Sequence, residues 1–310
     1  MRRIGSKLPA LFMLVLSACG LTRCTPDPID QARVEVLYAT PLPPPETPLR
    51  VYFMGHSLIG RDMPAMLAQL AEAGHGYESQ LGWGAELQAH WGDETLDGAD
   101  RENDHPRFRE AHEAMESGAY DALVMTEKIS IRDSIAYHDS WHYMSLWAEK
   151  AIAANPEIRL YFYETWHNRD VDEGWFVRID QDLSLYWEGE IVDRALATDK
   201  LDRPVYIIPG GQVMARFLRE VEARGGVGNV MGPDDLFKDR IHFNSLGAYL
   251  MALTHYAVLY GRPPVGLAHE LTDATGAPVP APAPETARLM QEIVWEVVTG
   301  YSRTGVRGTP

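Results

Sequence analysis

From residue 50 to residue 261, short apolar runs alternate with amphipathic stretches. RVYFMG (50–55), ESQLGWG (78–84), DALVMTE (121–127), IRLYFYE (158–164) and PVYIIPG (204–210) have the length and near-continuous apolar character of strands buried on both faces. Between them the apolar period lengthens to that of helices, over 62–74, 107–118, 140–155, 183–197 and 212–226. Asp62 is placed to cap the first of these and Gly74 to stop it. NSLGAYLMALTHYAVLYG (244–261) predicts a closing helix. Repeated strand–helix units predict a parallel five-stranded sheet in a three-layer α/β/α sandwich. A proline-rich stretch, APVPAPAPE, then leads to a last helix over 286–298, whose Leu289, Ile293 and Val297 form one apolar stripe. That helix is expected to pack on the same domain, which spans 50–301.

The first 49 residues follow different rules. MRRIGSK is basic, and LPALFMLVLSA is apolar but too short to span a bilayer comfortably. The run ends in Leu16-Ser17-Ala18-Cys19, similar to a bacterial lipobox, which implies a signal over 1–18 and a lipidated Cys19. Gly20 follows the cysteine, where an aspartate would retain a lipoprotein at the inner membrane, so the outer membrane is the expected address. Residues 19–49, with TPDPID and TPLPPPETP, read as an extended tether. Cys19 and Cys24 are the only cysteines, and acylation of Cys19 would rule out an intramolecular disulfide.

Composition narrows the partners. Of 310 residues 45% are apolar and 23% charged, which is globular, and the net charge of −16 argues against a nucleic-acid partner. PGGQ (209–212) lacks the lysine of a phosphate-binding loop, and GNVMGPDDLF lacks calcium-loop spacing. His138 and His142 lie four apart with no evident third ligand, so no metal or other cofactor is expected.

The chemistry points to Ser57. It follows Gly55 at the end of the first strand, and ligands of open parallel sheets bind beyond the carboxyl ends of the strands. A serine hydroxyl needs a base and an orienting carboxylate to become a nucleophile. DRIHFNSL supplies Asp239 and His242, three residues apart in a predicted turn at the same sheet edge. A carboxylate so placed can hold Nδ1–H and leave Nε2 to take the serine proton.

GHSL near the start and DRIH near the end resemble the SGNH (GDSL-like) hydrolases over residues 50–261. The resemblance implies a flavodoxin-like sheet, with Ser57 as nucleophile, His242 as base and Asp239 as its orienter. It also implies an oxyanion hole from the Ser57 N–H and a glycine N–H after the second strand, filled by Gly84 with Gly82 as the alternative. The chain departs from the family in two places. His56 replaces the usual aspartate, and MTEKIS puts Glu127 where the family has an asparagine donor. Glu127 can be protonated by burial or can bind a substrate hydroxyl; otherwise the third donor comes from His167 or Asn168 in ETWHN. Trp83, Trp91, Trp166 and Trp175 fall in predicted loops, as partners for sugar rings or as core, so Trp83 and Trp166 join Glu127, His167 and Asn168 as candidate substrate contacts. The expected activity is hydrolysis of an ester, such as an O-acetylated carbohydrate, through an acyl-enzyme. Transfer of the acyl group to a sugar and a non-catalytic, glycan-binding role on the same scaffold are the alternatives.

Overall fold

A computed structural model describes residues 25–92 and 95–308. The expected signal and Cys19 lie outside the described residues. Five strands, β1 (Arg50–His56), β2 (Gly76–Gly82), β3 (Ala122–Met125), β4 (Arg159–Glu164) and β5 (Tyr206–Pro209), form one sheet in the order β2-β1-β3-β4-β5. Every pairing is parallel, with Val51 opposite Ala122 and His56 opposite Gly82. This is the flavodoxin-like order, and the chain reverses direction across the sheet between β1 and β3.

Alternation along β1 feeds two cores. Val51 and Phe53 pack with the helices Asp62–Leu70, Gly210–Arg224, Ser245–Tyr260 and Pro284–Gly300. Tyr52 and Met54 face the other way, onto Ala111–Glu116, Ser140–Ala154 and the turns around Trp187. The architecture is thus three layers, α/β/α. Ser245–Tyr260 is apolar all round because it is covered all round: every residue from Leu246 to Tyr260 is buried. Burying each of its large apolar side chains contributes roughly 1.5–3 kcal/mol. The last helix lays Leu289, Met290, Ile293 and Val294 on this layer, with Val297 partly buried beside them.

Three segments differ from expectation. The helix expected over 107–118 is only Ala111–Glu116. Ahead of it the chain runs beside the outer strand β2, with the Ser79 N–H donating to the Arg107 carbonyl and the Arg109 N–H to that of Ser79. Those bonds cover a sheet edge. The helix expected over 183–197 begins earlier, at Trp175–Asp182, and then widens into a π-helix over Leu183–Val192.

The third correction concerns the tether. Where described, residues 25–49 lie on the domain. QARVEVL between the two proline stretches is helical (Gln31–Leu37), capped by Asp30, and it buries Val34. The Tyr38 hydroxyl donates to the Val205 carbonyl at 2.7 Å, and the Leu42 N–H to that of Gly305 at 2.8 Å. Arg303 grips Asp193 with two bonds of 2.6 and 2.9 Å under the Tyr38 ring. The N- and C-terminal segments together flank β5, the other outer strand.

Candidate active site

The crevice lies where β1 and β3 part, and the β1 end is built to be rigid. A Cβ on Gly55 would stand 2.4 Å from Thr126 Cγ2 and 2.8 Å from Ile59 Cδ1, so only glycine fits between β1 and the β3 end. The chain then turns, with the Ile59 and Gly60 N–H groups donating to the His56 carbonyl at 2.9 and 3.3 Å and Gly60 at φ +59°. Two buried histidines pin this turn, and their partners fix their tautomers. His56 Nδ1 accepts from the Leu58 N–H (3.3 Å), so Nε2 carries the proton it donates to the Glu127 carbonyl (2.9 Å). His90 Nε2 donates to the Gly55 carbonyl (3.0 Å) while Nδ1 accepts from Gln80 (3.2 Å). Burial pulls both imidazoles down to about 4, against the opposing pull of those carbonyls, and holds them neutral.

Asp239 and His242 come from a loop held together locally. Asp239 Oδ1 accepts the N–H groups of Ile241 and His242 at 2.8 and 2.7 Å. The Lys238 N–H donates to the His242 carbonyl at 2.7 Å, and Trp166 Nε1–H reaches across to the Ile241 carbonyl at 3.0 Å. Asn244 then caps Ser245–Tyr260. The loop carries His242 to Ser57: His242 Nδ1 lies 2.8 Å from Asp239 Oδ2, and Nε2 lies 2.8 Å from Ser57 Oγ. A carboxylate accepts only, so Nδ1 bears the hydrogen and Nε2 faces the serine hydroxyl with a lone pair. Burial acts to raise the Asp239 carboxyl, but the His242 and Ile241 N–H groups and the His242 ring outweigh it and bring it down to about 2. It is therefore ionised at neutral pH. The arrangement can take a proton from the serine as Oγ attacks an electrophile.

Ser57 and His242 open onto a cleft of about 630 Å³, lined also by Trp83, Gly84, Ile129 and Phe243. Gly84, at φ +56°, is therefore placed in the same cleft as Ser57. Trp83 is 51% exposed yet fixed. Its Nε1–H donates to Glu102 at 2.9 Å, and Gly98 presses on the ring so closely that a Cβ there would sit 2.4 Å away.

The other expected contacts are placed elsewhere. Glu127 does not line the cleft: it is fully buried, its Oε1 accepts the Lys128 N–H at 2.9 Å, and its carbonyl serves His56. Burial raises its carboxyl to about 7 despite that N–H. Trp166 is 1% exposed and supports the His242 loop from beneath. His167 Nε2 lies 2.8 Å from Asp182, beside Arg178, and Asn168 is exposed outside the cleft. Trp175 is buried with its Nε1–H on the His167 carbonyl, and Trp91 packs edge-on against Trp147. Of the loop tryptophans singled out, Trp83 alone lines the cleft. His138 faces Gln88 and Glu86, and the described residues contain no cluster of three or more His, Cys, Asp or Glu that could hold a metal. Sequence reasoning missed His90, Ile129 and Phe243. Phe243 alone carried a signal, its place directly after His242.

No family model matches this chain, and no curated protein matches it. Among solved structures it is similar to a protein from Parabacteroides merdae described as a GDSL-like lipase, at a TM-score of 0.40 and 13% identity, over 68% of this chain and 95% of that one. A likeness of that size carries no weight for function.

Proposed function

We propose that the protein is a serine ester hydrolase of the SGNH (GDSL-like) type. The observation that carries the reading is the unbroken chain of 2.8 Å contacts from Asp239 through His242 to Ser57, at the carboxyl end of β1 and open to a cleft. Ser57 Oγ attacks the ester carbonyl while His242 Nε2 takes its proton. Asp239 holds the imidazole in the needed tautomer and balances the imidazolium that forms. The Ser57 and Gly84 N–H groups are the oxyanion donors in this reading. His242 returns the proton to the leaving alcohol, and water repeats the sequence on the acyl-enzyme. No asparagine or glutamine lines the described cleft to supply a third donor, which lowers the expected rate by about 100- to 1000-fold against a fully equipped site.

Trp83 supports an O-acetylated carbohydrate as substrate, because a rigid, exposed indole beside the nucleophile offers a stacking face for a sugar ring. Lipidation of Cys19 would place the enzyme in the bacterial cell envelope, on the outer membrane.

The test is hydrolysis of a small activated acetate ester by the wild-type chain and by Ser57→Ala. The expected outcome is turnover that falls at least about 1000-fold in the variant. Equal turnover in both would overturn the assignment, and inactivity of both would favour acyl transfer to a sugar or a binding role.

A further inference from the structure

In a chain of net charge −16, most arginines and lysines among the described residues have a carboxylate oxygen within 4.0 Å. Arg61, Arg101, Arg107 and Lys238 do not, and all four border the Ser57 cleft or its extension; Arg33, Arg159 and Arg307, the other exceptions, lie away from it. The extension begins at Gly60 and Arg61, which line both the cleft and a neighbouring cavity of about 480 Å³ walled by Tyr77, Ser79, His105 and Arg107.

The four cations differ in what occupies them. Arg61 is committed to the main chain, donating to the carbonyls of Glu102 (3.1 Å), Asp104 (3.3 Å) and Arg101, and so fixes the loop that holds Trp83. Arg101 lies over the Trp83 ring at 5.5 Å. Arg107 is held by Tyr77, its guanidinium 5.0 Å from the ring centroid and in hydrogen-bonding contact with the phenol hydroxyl. Asp104 lines the same cavity, yet no Arg107 nitrogen lies within 4.0 Å of its carboxylate. Lys238 stands in the main cleft. The carboxylates there are engaged already: Asp62 accepts the Ala274 N–H, Glu102 the Trp83 Nε1–H, and Asp239 holds His242. Arg107 and Lys238 thus lack a carboxylate partner in a molecule that pairs most of its described cations. A guanidinium has five N–H donors, so those not used by Tyr77 are left for bidentate recognition of an oxyanion. Open cations at a cleft also offset the repulsion that an acidic protein exerts on an anionic substrate.

We propose that the Arg107 cavity receives an oxyanion borne on the alcohol side of the ester, so that the substrate is an acylated sugar carrying a carboxylate, sulfate or phosphate. This rests on the hydrolase reading. The acyl carbonyl meets Ser57, the ring lies along Trp83, and the anion enters the cavity beyond Gly60, with Lys238 adding positive potential in the main cleft.

The test uses the full chain and two substrates with one acetyl ester each that differ in charge, an O-acetylated glucuronic acid disaccharide and its primary amide. The acid is expected to have a kcat/KM about tenfold higher at low salt, and Arg107→Glu is expected to abolish or invert that ratio. Raising the salt to about 0.5 M is expected to compress the ratio in the wild type. Arg107→Gln replaces the charge reversal if the latter fails to fold. Competition by sulfate, phosphate and free glucuronate against the acid separates the three oxyanions. A wild-type ratio near one, or a ratio that Arg107→Glu leaves in place, overturns the proposal. Calorimetric binding of both compounds to Ser57→Ala keeps the two readings apart. Tighter binding of the acid without turnover by the wild type retains the anion site and sinks the hydrolase. Turnover of both esters with equal binding does the reverse.

Discussion

Ser57 follows a strand whose residues from Val51 to His56 are buried, whereas the side chains of His242 and Asp239, its partners, are 42% and 53% exposed. The strand end is tied to the rest of the sheet. Gly55 is wedged against Thr126, its carbonyl is held by His90, and His56 bridges to Glu127 on the far side of the crevice. The loop is tied to itself, through bonds that span two to four residues, and to the segment after β4, through Trp166, the Arg169 N–H on the Arg240 carbonyl at 2.9 Å and the Arg240–Asp170 ion pair, but not to the sheet. The strand end therefore fixes where the nucleophile stands, and its integrity is part of folding. The loop fixes only a tautomer and a proton path, leaving room for substrate. Substitutions on the two sides should then separate activity from stability.

The largest effect is expected on the loop. Asp239→Asn keeps an oxygen for the Ile241 and His242 N–H groups but turns an amide toward Nδ1, which favours the wrong imidazole tautomer. The expected loss is about 1,000- to 10,000-fold in kcat, with the thermal midpoint within about 2 °C of wild type. Initial rates and a melting curve on the same preparation check both halves. A midpoint that collapses with activity would mean the loop is part of the folding core, and the contrast would fail.

The same contrast governs what the sequence reveals. The five strands stand out because burial on both faces leaves runs such as VYFM and LYFY. Asp239 and His242 are legible because a three-residue turn is local, and its order after the fifth strand places it at the correct sheet edge. Glu127 is not legible in the same way. It follows β3 by two residues, and which way a side chain points beyond a strand end depends on backbone angles that a one-residue shift reverses. His90 supports Gly55 from 35 residues away, with no periodic or motif signal. Trp83 and Trp166 both follow strands, yet one lines the cleft and the other fills the core, because helix and loop packing decide which face is open. The glycines of PGGQ are explained only in three dimensions. Glu164, buried at the end of β4, accepts the Gly211 and Gln212 N–H groups at 2.7 and 3.2 Å, and a Cβ on Gly211 would sit 2.3 Å from its carboxylate. The proline-rich N-terminus misleads for the opposite reason, since composition outweighs a seven-residue helix whose burial of Val34 is a tertiary event.

On the strand-end side the expected effects fall on folding and activity together. His56→Leu fills a similar volume but leaves the Leu58 N–H and the Glu127 carbonyl without their imidazole partner in the interior. The expected destabilisation is about 2–4 kcal/mol, with a loss of kcat that persists well below the melting transition. Urea unfolding at neutral pH measures the first and initial rates at low temperature the second. Unchanged stability would show that the histidine bridge is dispensable, and that Gly55 and the sheet alone hold the nucleophile.

The smallest effect distinguishes the two kinds of carboxylate. Asp239 is brought down to about 2 by its N–H donors, while burial pushes Glu127 up from an ordinary 4.5 to about 7. A group whose folded value is raised binds its proton more tightly in the folded state. Its favourable contribution is complete below about 4.5 and is lost as the pH climbs toward 7, after which the loss is constant. Glu127→Gln removes the titration and keeps the shape. Relative to this variant, wild type is expected to lose about 1–3 kcal/mol between pH 5 and pH 8. Denaturant unfolding of both proteins at the two pH values gives the difference of differences directly, free of the other groups that titrate in that range. A difference that stays constant with pH would mean that Glu127 keeps its charge in the interior.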